Sequence, residues 1–218
     1  MIASCPADVQ AAIERRCAAV RSGQLQPYGG MLRTNVLSVV KSVFPRFSAR
    51  RGEKALAQDV DDFVRFFGAE HAQFMHISTE FVRFSDGRIS DVVTRTLLEY
   101  EWALFSVEVS EARVVTSSRA ALQQLSDVRL NPTLQLIAVP FDLNADDAEA
   151  ERMIGENRPP FVYAVYRTAD HYVVTKSLSV VDITYLQAMT GATQTTSDDH
   201  SAWIDDALRL GLVVAHQT

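Results

Sequence analysis

The sequence has few of the residues and motifs on which metal sites and secreted scaffolds are built. Cys5 and Cys17 are the only cysteines among 218 residues, so a framework of several disulfides is excluded and two unpaired thiols are expected. The sequence has no His-Glu-x-x-His motif, and His71 and His76 are spaced to splay apart on a helix. No metal or cofactor is therefore predicted on this chain.

Long apolar segments are also missing. No run in the sequence approaches the roughly 18 apolar residues that a helix needs to span a bilayer. The first residues, Met-Ile-Ala-Ser-Cys-Pro-Ala-Asp, lack the basic and apolar regions of a secretory signal. These features predict a cytoplasmic protein.

The charge is unevenly distributed. The net charge is −6, and residues 1–110 hold 13 of the 21 basic residues and 13 of the 27 acidic ones. The whole acidic excess therefore lies in residues 111–218. Because nucleic-acid binding depends on neutralising phosphates with Lys and Arg, this half is poorly suited to bind DNA.

The first half has the apolar spacing of successive helices. One helix is expected to run to about Arg21, and a second follows Gly30 and reaches Phe44. Others cover Glu53–Phe67, Gln73–Phe84 and Asp91–Val109. Pro45 is expected to end the second of them, and Gly68 the third. Short loops between amphipathic helices predict a helical bundle.

The periodicity changes after about residue 128. Thr133–Leu143, Phe161–Arg167 and His171–Leu178 have the composition of antiparallel strands. Ser179–Met189 and Asp199–Leu210 are then predicted as helices, and Leu212–Ala215 as a short final strand. Strands followed by helices predict an α+β fold in which one edge of the sheet stays open.

Residues 91–109 place an acid inside an apolar stripe. Leu98, Trp102 and Phe105 recur at helical spacing, and Glu101 falls within the same face. A buried carboxylate needs a compensating partner, and the candidates are Arg33 and Asn35. Glu101 and Trp102 are interpreted as a structural pair that specifies the fold, with a catalytic role as the alternative.

The helical half also carries a set of motifs that resembles a known family. The motifs are Leu32-Arg33-Thr34-Asn35-Val36, Val43-Phe44-Pro45, Phe74, Glu80-Phe81 and Leu98-Glu99-Tyr100-Glu101-Trp102-Ala103. Over about residues 28–110 they are similar to the N-terminal domain of a bacterial family first described as DNA-binding-domain proteins. Members of that family accompany multinuclear iron enzymes with a TIM-barrel fold. Leu32 stands where many relatives carry Tyr, which leaves the subfamily open.

The resemblance implies a role as a non-catalytic subunit. In the methanobactin-biosynthesis heterodimer of this family, the barrel subunit oxidises cysteines of a ribosomally made precursor peptide to an oxazolone and a thioamide. A sister system excises a carbon from a C-terminal cysteine on the way to a thiaglutamate product. The expected partners are thus an iron-dependent catalytic subunit and a cysteine-containing precursor, with the iron held by the partner subunit.

The second half resembles the winged-helix-like domains that bind leader sequences of modified peptides. The expected organisation is a helical bundle, residues 1–128, followed by a small winged-helix-like domain, residues 129–218, with a three-stranded antiparallel sheet and C-terminal helices. The resemblance implies that the leader adds as a strand to an open edge beside the last helix. We expect the amide of Val174 on that edge. The implied peptide-binding residues are His171, Tyr172, Val173, Val174, Thr175, Lys176, Ser177, Leu178, Trp203, Ile204, Ala207 and Leu208.

The basic cluster Arg46, Arg50 and Arg51 is the candidate surface for docking on the catalytic subunit, and a solvated helix surface is the alternative. The sequence disfavours two other functions. A DNA-binding regulator needs a basic recognition helix, whereas the last helix presents Asp205 and Asp206. A free-standing enzyme needs convergent polar groups, and no Ser-His-Asp order or Gly-rich phosphate loop is found.

Overall fold

A computed structural model describes residues 28–67, 74–116, 128–156, 158–190 and 197–215, together with residues 11, 15 and 19. Its mixed α+β fold confirms the predicted class, with helices first and then a three-stranded antiparallel sheet and C-terminal helices. Cys5, Cys17, His71 and most of the helix predicted before Arg21 lie outside the described residues. The chain divides into two compact units, Met1–Trp102 and Ala103–Thr218.

The first unit is helical, and its breaks occur at Pro and Gly. Its described elements are α1 (Tyr28–Val43), α2 (Pro45–Arg51), α3 (Glu53–Asp62), a π-helical turn (Phe63–Phe67), α4 (Phe74–Ser85) and α5 (Val92–Glu108), which continues into the second unit. Pro45 begins α2, as expected at a position whose amide has no helical acceptor. Gly52 joins α2 to α3 with φ 74°, a conformation that glycine adopts readily.

An aromatic cluster forms the core of this unit. Its members, all buried, are Phe44, Phe47, Phe63, Phe81 and Phe84. The ring of Phe81 lies 6.2 Å from that of Phe44 and 6.0 Å from that of Phe47. Aromatic pairs of this kind contribute about 0.5–1.5 kcal/mol each beyond area burial. Because the rings come from different elements, their packing holds the helices of the unit together.

The second unit contains two sheets and three helices within its described residues. The elements are β1 (Val128–Leu130), β2 (Gln135–Val139), α6 (Asp147–Gly155), β3 (Phe161–Arg167), β4 (Val173–Ser177), α7 (Val180–Met189), α8 (Ser197–Leu210) and β5 (Val213–Ala215). The larger sheet has the order β2-β3-β4 and is antiparallel throughout. β1 and β5 form a separate antiparallel pair, with Val128 opposite Ala215. The predicted final strand is confirmed, but it pairs outside the main sheet.

Both faces of the central strand β3 are buried. Ala164 and Tyr166 pack into a core that includes Leu186 of α7 and Ile204 of α8, while Val165 is buried on the opposite face. A strand covered on both faces has a nearly continuous apolar run, which is what Phe161–Arg167 shows. β2 is shorter than predicted and ends immediately before Pro140, which cannot donate to a ladder.

The two units divide at a different place from the predicted domain boundary at residues 128/129. The observed division falls between Trp102 and Ala103, within α5. The Arg167 guanidinium donates to the carbonyl of Glu108 at 2.8 Å and to that of Ala112 at 2.6 Å. Gln135 Nε2 also donates to Ser106 Oγ at 2.8 Å. These bonds attach the end of α5 to the sheet-containing unit.

Candidate functional site

The candidate site begins with the hydrogen-bond pattern of β4, which fixes the direction of each amide. At one end of the strand Leu178 N donates to Val162 O at 2.8 Å, and at the other Thr168 N donates to Tyr172 O at 2.9 Å. In an antiparallel ladder, hydrogen-bonded pairs recur at every second residue. The even-numbered residues from Tyr172 to Leu178 therefore direct their backbone groups toward β3.

The odd-numbered residues of β4 direct their backbone N–H and C=O groups away from β3. The amides of Val173 and Ser177 point outward, and no further strand pairs with β4 among the described residues. Val174 lies opposite Tyr166 and belongs to the inward set. The expectation that its amide lies on the open edge is therefore wrong. The sequence shows that backbone groups alternate between the two sides of a strand, but it does not show which residues bond to the neighbouring strand.

A groove of about 370 Å³ lies at the hairpin end of β4. Tyr172 and Val174 form one side of it, and Leu208 and Val213, from the end of α8 and from β5, form another. The side chain of Tyr172 is 72% exposed at its rim. Pockets that bind organic ligands begin at roughly 300 Å³. Asp170, Arg209 and Thr168 also line the groove. The edge of β4 thus ends in a recess of ligand-binding size with a mixed apolar and polar lining.

Backbone geometry fixes the wall formed by α8. Gly211 ends the helix with φ 80°. Its N–H donates to Leu208 O at 3.1 Å, and Leu212 N donates to Ala207 O at 2.9 Å. This pair of bonds is the Schellman arrangement, which requires a left-handed residue at the position of Gly211. Tyr166 Oη donates to Leu210 O at 2.8 Å and ties the same turn to β3.

A buried asparagine, which sequence reasoning missed, connects this turn to the sheet. Asn131 Nδ2 donates to the carbonyls of Arg167 at 2.9 Å and Gly211 at 2.8 Å. Its Oδ1 accepts from Thr133 N at 2.9 Å and from Thr133 Oγ1 at 2.7 Å. All the hydrogen-bonding capacity of the amide is used. The Asn-Pro-Thr sequence was an available turn signal, although it does not specify these long-range acceptors.

A second polar cluster lies at the other end of β4. Asp182 accepts hydrogen bonds from Lys176 Nζ, from the Ser179 backbone N and from Trp203 Nε1, each at 2.9 Å. Ser179 also accepts from the Asp182 N–H, which completes a capping box at the start of α7. Burial alone would raise the pKa of Asp182, but the hydrogen bonds outweigh it and lower the pKa to about 2.

The predicted peptide-binding residues of α8 are mostly inside the core. Ile204, Ala207 and Leu208 are buried in the cluster beneath the sheet, so Ile204 and Ala207 support the edge rather than line it. Leu208 alone of the three borders the groove. Trp203 is partly buried and packs on Tyr185, with ring centroids 5.1 Å apart. On the β4 side, Thr175 and Lys176 are half-buried, and Leu178 belongs to the core.

The turn before β4 contains His171. This residue is exposed and has φ 67°, a left-handed conformation that non-glycine residues adopt in tight turns. Its amide donates to Thr168 O at 3.0 Å. His171 therefore shapes the hairpin beside the groove.

In the first unit, Glu101 is buried as predicted, but its partner is different. Glu101 Oε1 accepts from the backbone N of Arg46 at 2.8 Å, and Oε2 accepts from the backbone N of Phe47 at 3.0 Å. The carboxylate thus caps the first turn of α2 from another helix. Burial raises the pKa of Glu101, and the two N–H donors offset only part of that effect.

Neither of the residues proposed as partners of Glu101 bonds to it. Arg33 Nε donates to Asp61 at 2.7 Å, which links α1 to the end of α3. Asn35 is exposed on α1. Trp102 Nε1 approaches Thr79 Oγ1 at 3.4 Å and is half-buried between α5 and α4. The expectation that Arg33 or Asn35 meets Glu101 is wrong because the true donors are main-chain groups, which have no residue signature.

The predicted docking arginines are partly engaged within their own unit. Arg51 forms a two-point contact with Asp59, at 2.6 and 2.9 Å. Arg50 Nε lies 3.1 Å from Asp91 Oδ2. Arg46 is exposed at the start of α2. Of the three, Arg46 is the most exposed, since Arg50 and Arg51 are half-buried.

Comparison of the sequence with protein-family models gives no match, and comparison with the curated proteins gives no significant match. Within the described residues, no helix has the length and apolar character that crossing a membrane requires. The same residues contain no group of three or more His, Cys, Asp or Glu side chains arranged to hold a metal ion.

Proposed function

We propose that this chain is a non-catalytic, peptide-recognition subunit of a cytoplasmic heterodimer whose other subunit is a TIM-barrel iron enzyme. The second unit binds the leader of a ribosomally made, cysteine-containing precursor, and the first unit docks on the catalytic subunit. The iron and the oxidation of the cysteine belong to that partner. The chemistry is oxazolone and thioamide formation of the methanobactin type, with carbon excision of the thiaglutamate type as the alternative.

The observation that carries this proposal is the edge of β4, with which no further strand pairs among the described residues, beside a groove that is partly apolar. Val173 and Ser177 offer outward amides, and an extended peptide gains main-chain hydrogen bonds when it adds as a strand to such an edge. Because alternate side chains of a strand point to one face, a bound peptide can place an apolar side chain in the groove next to Tyr172. Main-chain bonds supply affinity and the groove supplies selectivity.

The division into two units fits a delivery role. A peptide held by one unit, on a chain whose other unit is bound to the catalyst, meets the active site at a high effective concentration. A weak encounter then becomes an intramolecular step. By contrast, Asp205 and Asp206 are exposed on α8, and a DNA-reading helix would place these acids against phosphates.

The edge is tested with Val173→Pro. Val173 is the first residue of β4 and its amide faces outward, so proline removes an edge donor without removing a ladder bond to β3. The proposal expects a short cysteine-containing reading frame beside the gene for this chain; a synthetic peptide of that sequence is the probe, and binding is measured by calorimetry. We expect at least a tenfold loss of affinity, since about one hydrogen bond and some strand order are lost.

Val173→Ala, which keeps the amide, is the matched control and should bind within about threefold of wild type. Equal affinity of wild type and Val173→Pro would contradict binding at this edge. Absence of such a reading frame, or of a barrel-type iron enzyme beside it, would contradict the proposed pathway.

Docking is tested separately: Arg46→Glu should weaken co-purification with the barrel subunit and leave peptide affinity unchanged.

A further inference from the structure

Among the described residues, no strand pairs with the outer side of β2, and the proposed function does not use this second edge of the main sheet. β2 is the outer strand on the side opposite β4. The phase of the ladder fixes its amides too: since Val162, Ala164 and Tyr166 bond to β4, the odd-numbered residues of β3 face β2. Arg167 N, which donates to Thr133 Oγ1 at 2.9 Å, confirms this direction.

The outward amides of β2 are therefore those of Leu136 and Ala138. These residues lie opposite Ala164 and Val162, the residues of β3 that bond to β4 instead. Gln135, Ile137 and Val139 form the inward set. Leu136 and Ala138 are placed symmetrically about Ile137, one residue to each side.

β2 also lacks the features that usually prevent an edge strand from pairing. Its sequence, Gln-Leu-Ile-Ala-Val, contains no charged residue and no proline, and its register with β3 runs without a bulge over all five residues. The side chain of Leu136 is 52% exposed, and Ala138 is exposed as well. Native edge strands are normally protected by Lys, Pro, bulges or a covering element.

We propose that β2 pairs with β2 of a second copy of this chain, antiparallel about a two-fold axis at Ile137. In that register Leu136 of each copy faces Ala138 of the other, and both are outward residues, so each such pair exchanges two main-chain hydrogen bonds. The two Ile137 residues face each other as a non-hydrogen-bonded pair. The outward residues are placed symmetrically about Ile137, so the uncharged edge meets its own copy without any shift in register, and a two-fold contact uses the same surface twice.

This interface is independent of the proposed peptide edge, since β2 and β4 lie on opposite sides of the sheet. A strand pair of five residues is small, so we expect a dimer with a dissociation constant in the micromolar range or weaker. Sedimentation equilibrium of the full chain should show a monomer–dimer equilibrium. Ala138→Pro, which removes an outward amide without breaking a bond to β3, should weaken it by roughly tenfold or more.

The register gives a sharper test by disulfide trapping in a Cys5→Ser, Cys17→Ser background. In the proposed dimer the two Cα atoms at position 137 are about 4.5 Å apart, within the range that a disulfide spans. Ile137→Cys should therefore yield a covalent dimer on mild oxidation. Leu136→Cys is the matched control: its two copies are offset by two residues, about 8 Å apart, and should stay reduced.

Val173→Pro, on the other edge, should leave the association unchanged. A wild-type chain that stays monomeric at all accessible concentrations would overturn the proposal. Trapping through Leu136→Cys instead of Ile137→Cys would overturn the two-fold axis at Ile137. Loss of peptide binding in Val173→Pro with retained dimerisation separates this inference from the proposed function.

Discussion

The contact between Glu101 and the first turn of α2 permits a quantitative prediction. Glu101→Gln keeps the size of the side chain and one carbonyl oxygen, but replaces the second acceptor with an NH₂ group. That group faces either the N–H of Arg46 or that of Phe47, both of which now bond to the carboxylate. One donor is left unpaired next to another donor in a site where Glu101 is only 3% exposed.

The expected loss follows from the two bonds. A hydrogen bond to a charged group contributes about 1.5–3 kcal/mol, and a neutral one about 0.5–1.5 kcal/mol. Glu101→Gln loses one hydrogen bond to a charged group and weakens the other. Removing the buried charge offsets part of this loss of stability, because burial disfavours the charged form and raises the pKa of Glu101. We expect a net destabilisation of about 2 kcal/mol. Glu101→Leu leaves both amides unpaired and should lower the free energy of unfolding by about 4 kcal/mol.

Urea denaturation measures these values. Trp102 reports on the first unit by fluorescence if Trp203 is replaced by Phe in every variant, since these are the two tryptophans of the chain. Glu99→Gln is the control, because Glu99 lies on the same helix, is 64% exposed and pairs only loosely with Arg95 at 3.9 Å; it should change the stability by less than about 0.5 kcal/mol. Equal stability of Glu101→Gln and Glu99→Gln would refute the capping role.

Three further predictions concern the second unit. Gly211→Ala should lower its free energy of unfolding by about 1–2 kcal/mol, because alanine is strained at φ 80° although its Cβ would meet Tyr166 only at an ordinary 3.6 Å; urea denaturation followed by far-ultraviolet circular dichroism checks this. Asn131→Ala should lower it by about 2–3 kcal/mol in the same assay, since two buried carbonyls and Thr133 lose their partner, and a change below about 0.5 kcal/mol would contradict the role given to this amide. The folded-state pKa of Asp182, about 2, lies below its ordinary value of 3.8, so its contribution is present above pH 3.8 and is lost as the pH falls through about 2. Asp182→Asn should therefore destabilise the protein by about 2 kcal/mol more at neutral pH than at pH 2, and a pH-independent effect would contradict the ionised state of this group.

The elements that the sequence predicted well are those with strong local signals. Pro45 marks a helix boundary because its ring fixes φ and removes the backbone N–H. The run Phe161–Tyr166 is almost continuously apolar because both faces of β3 are buried. The burial of Glu101 followed from its place within an apolar stripe.

The features that the sequence did not predict depend on main-chain groups or on distant partners. The donors to Glu101 are backbone amides of residues 54 and 55 positions away, and any residue could supply them. The same holds for the carbonyls bound by Asn131. The Val174 amide points toward β3 because the even-numbered residues of β4 form the hydrogen bonds to that strand. An alternating sequence pattern does not specify which of the two sets forms them. The resemblance implied a peptide-binding role for Ile204 and Ala207, but both face the core, because the sequence of an amphipathic helix does not specify which neighbour its apolar face meets.

The most direct test of the proposed peptide edge is amide hydrogen exchange of the full chain, followed by NMR, with and without the synthetic precursor peptide. The account predicts that the peptide protects the outward amides of Val173 and Ser177, while the exchange of Val174, already bonded within the sheet, changes little. Protection confined to β2, or no change at either strand under saturating peptide, would contradict it.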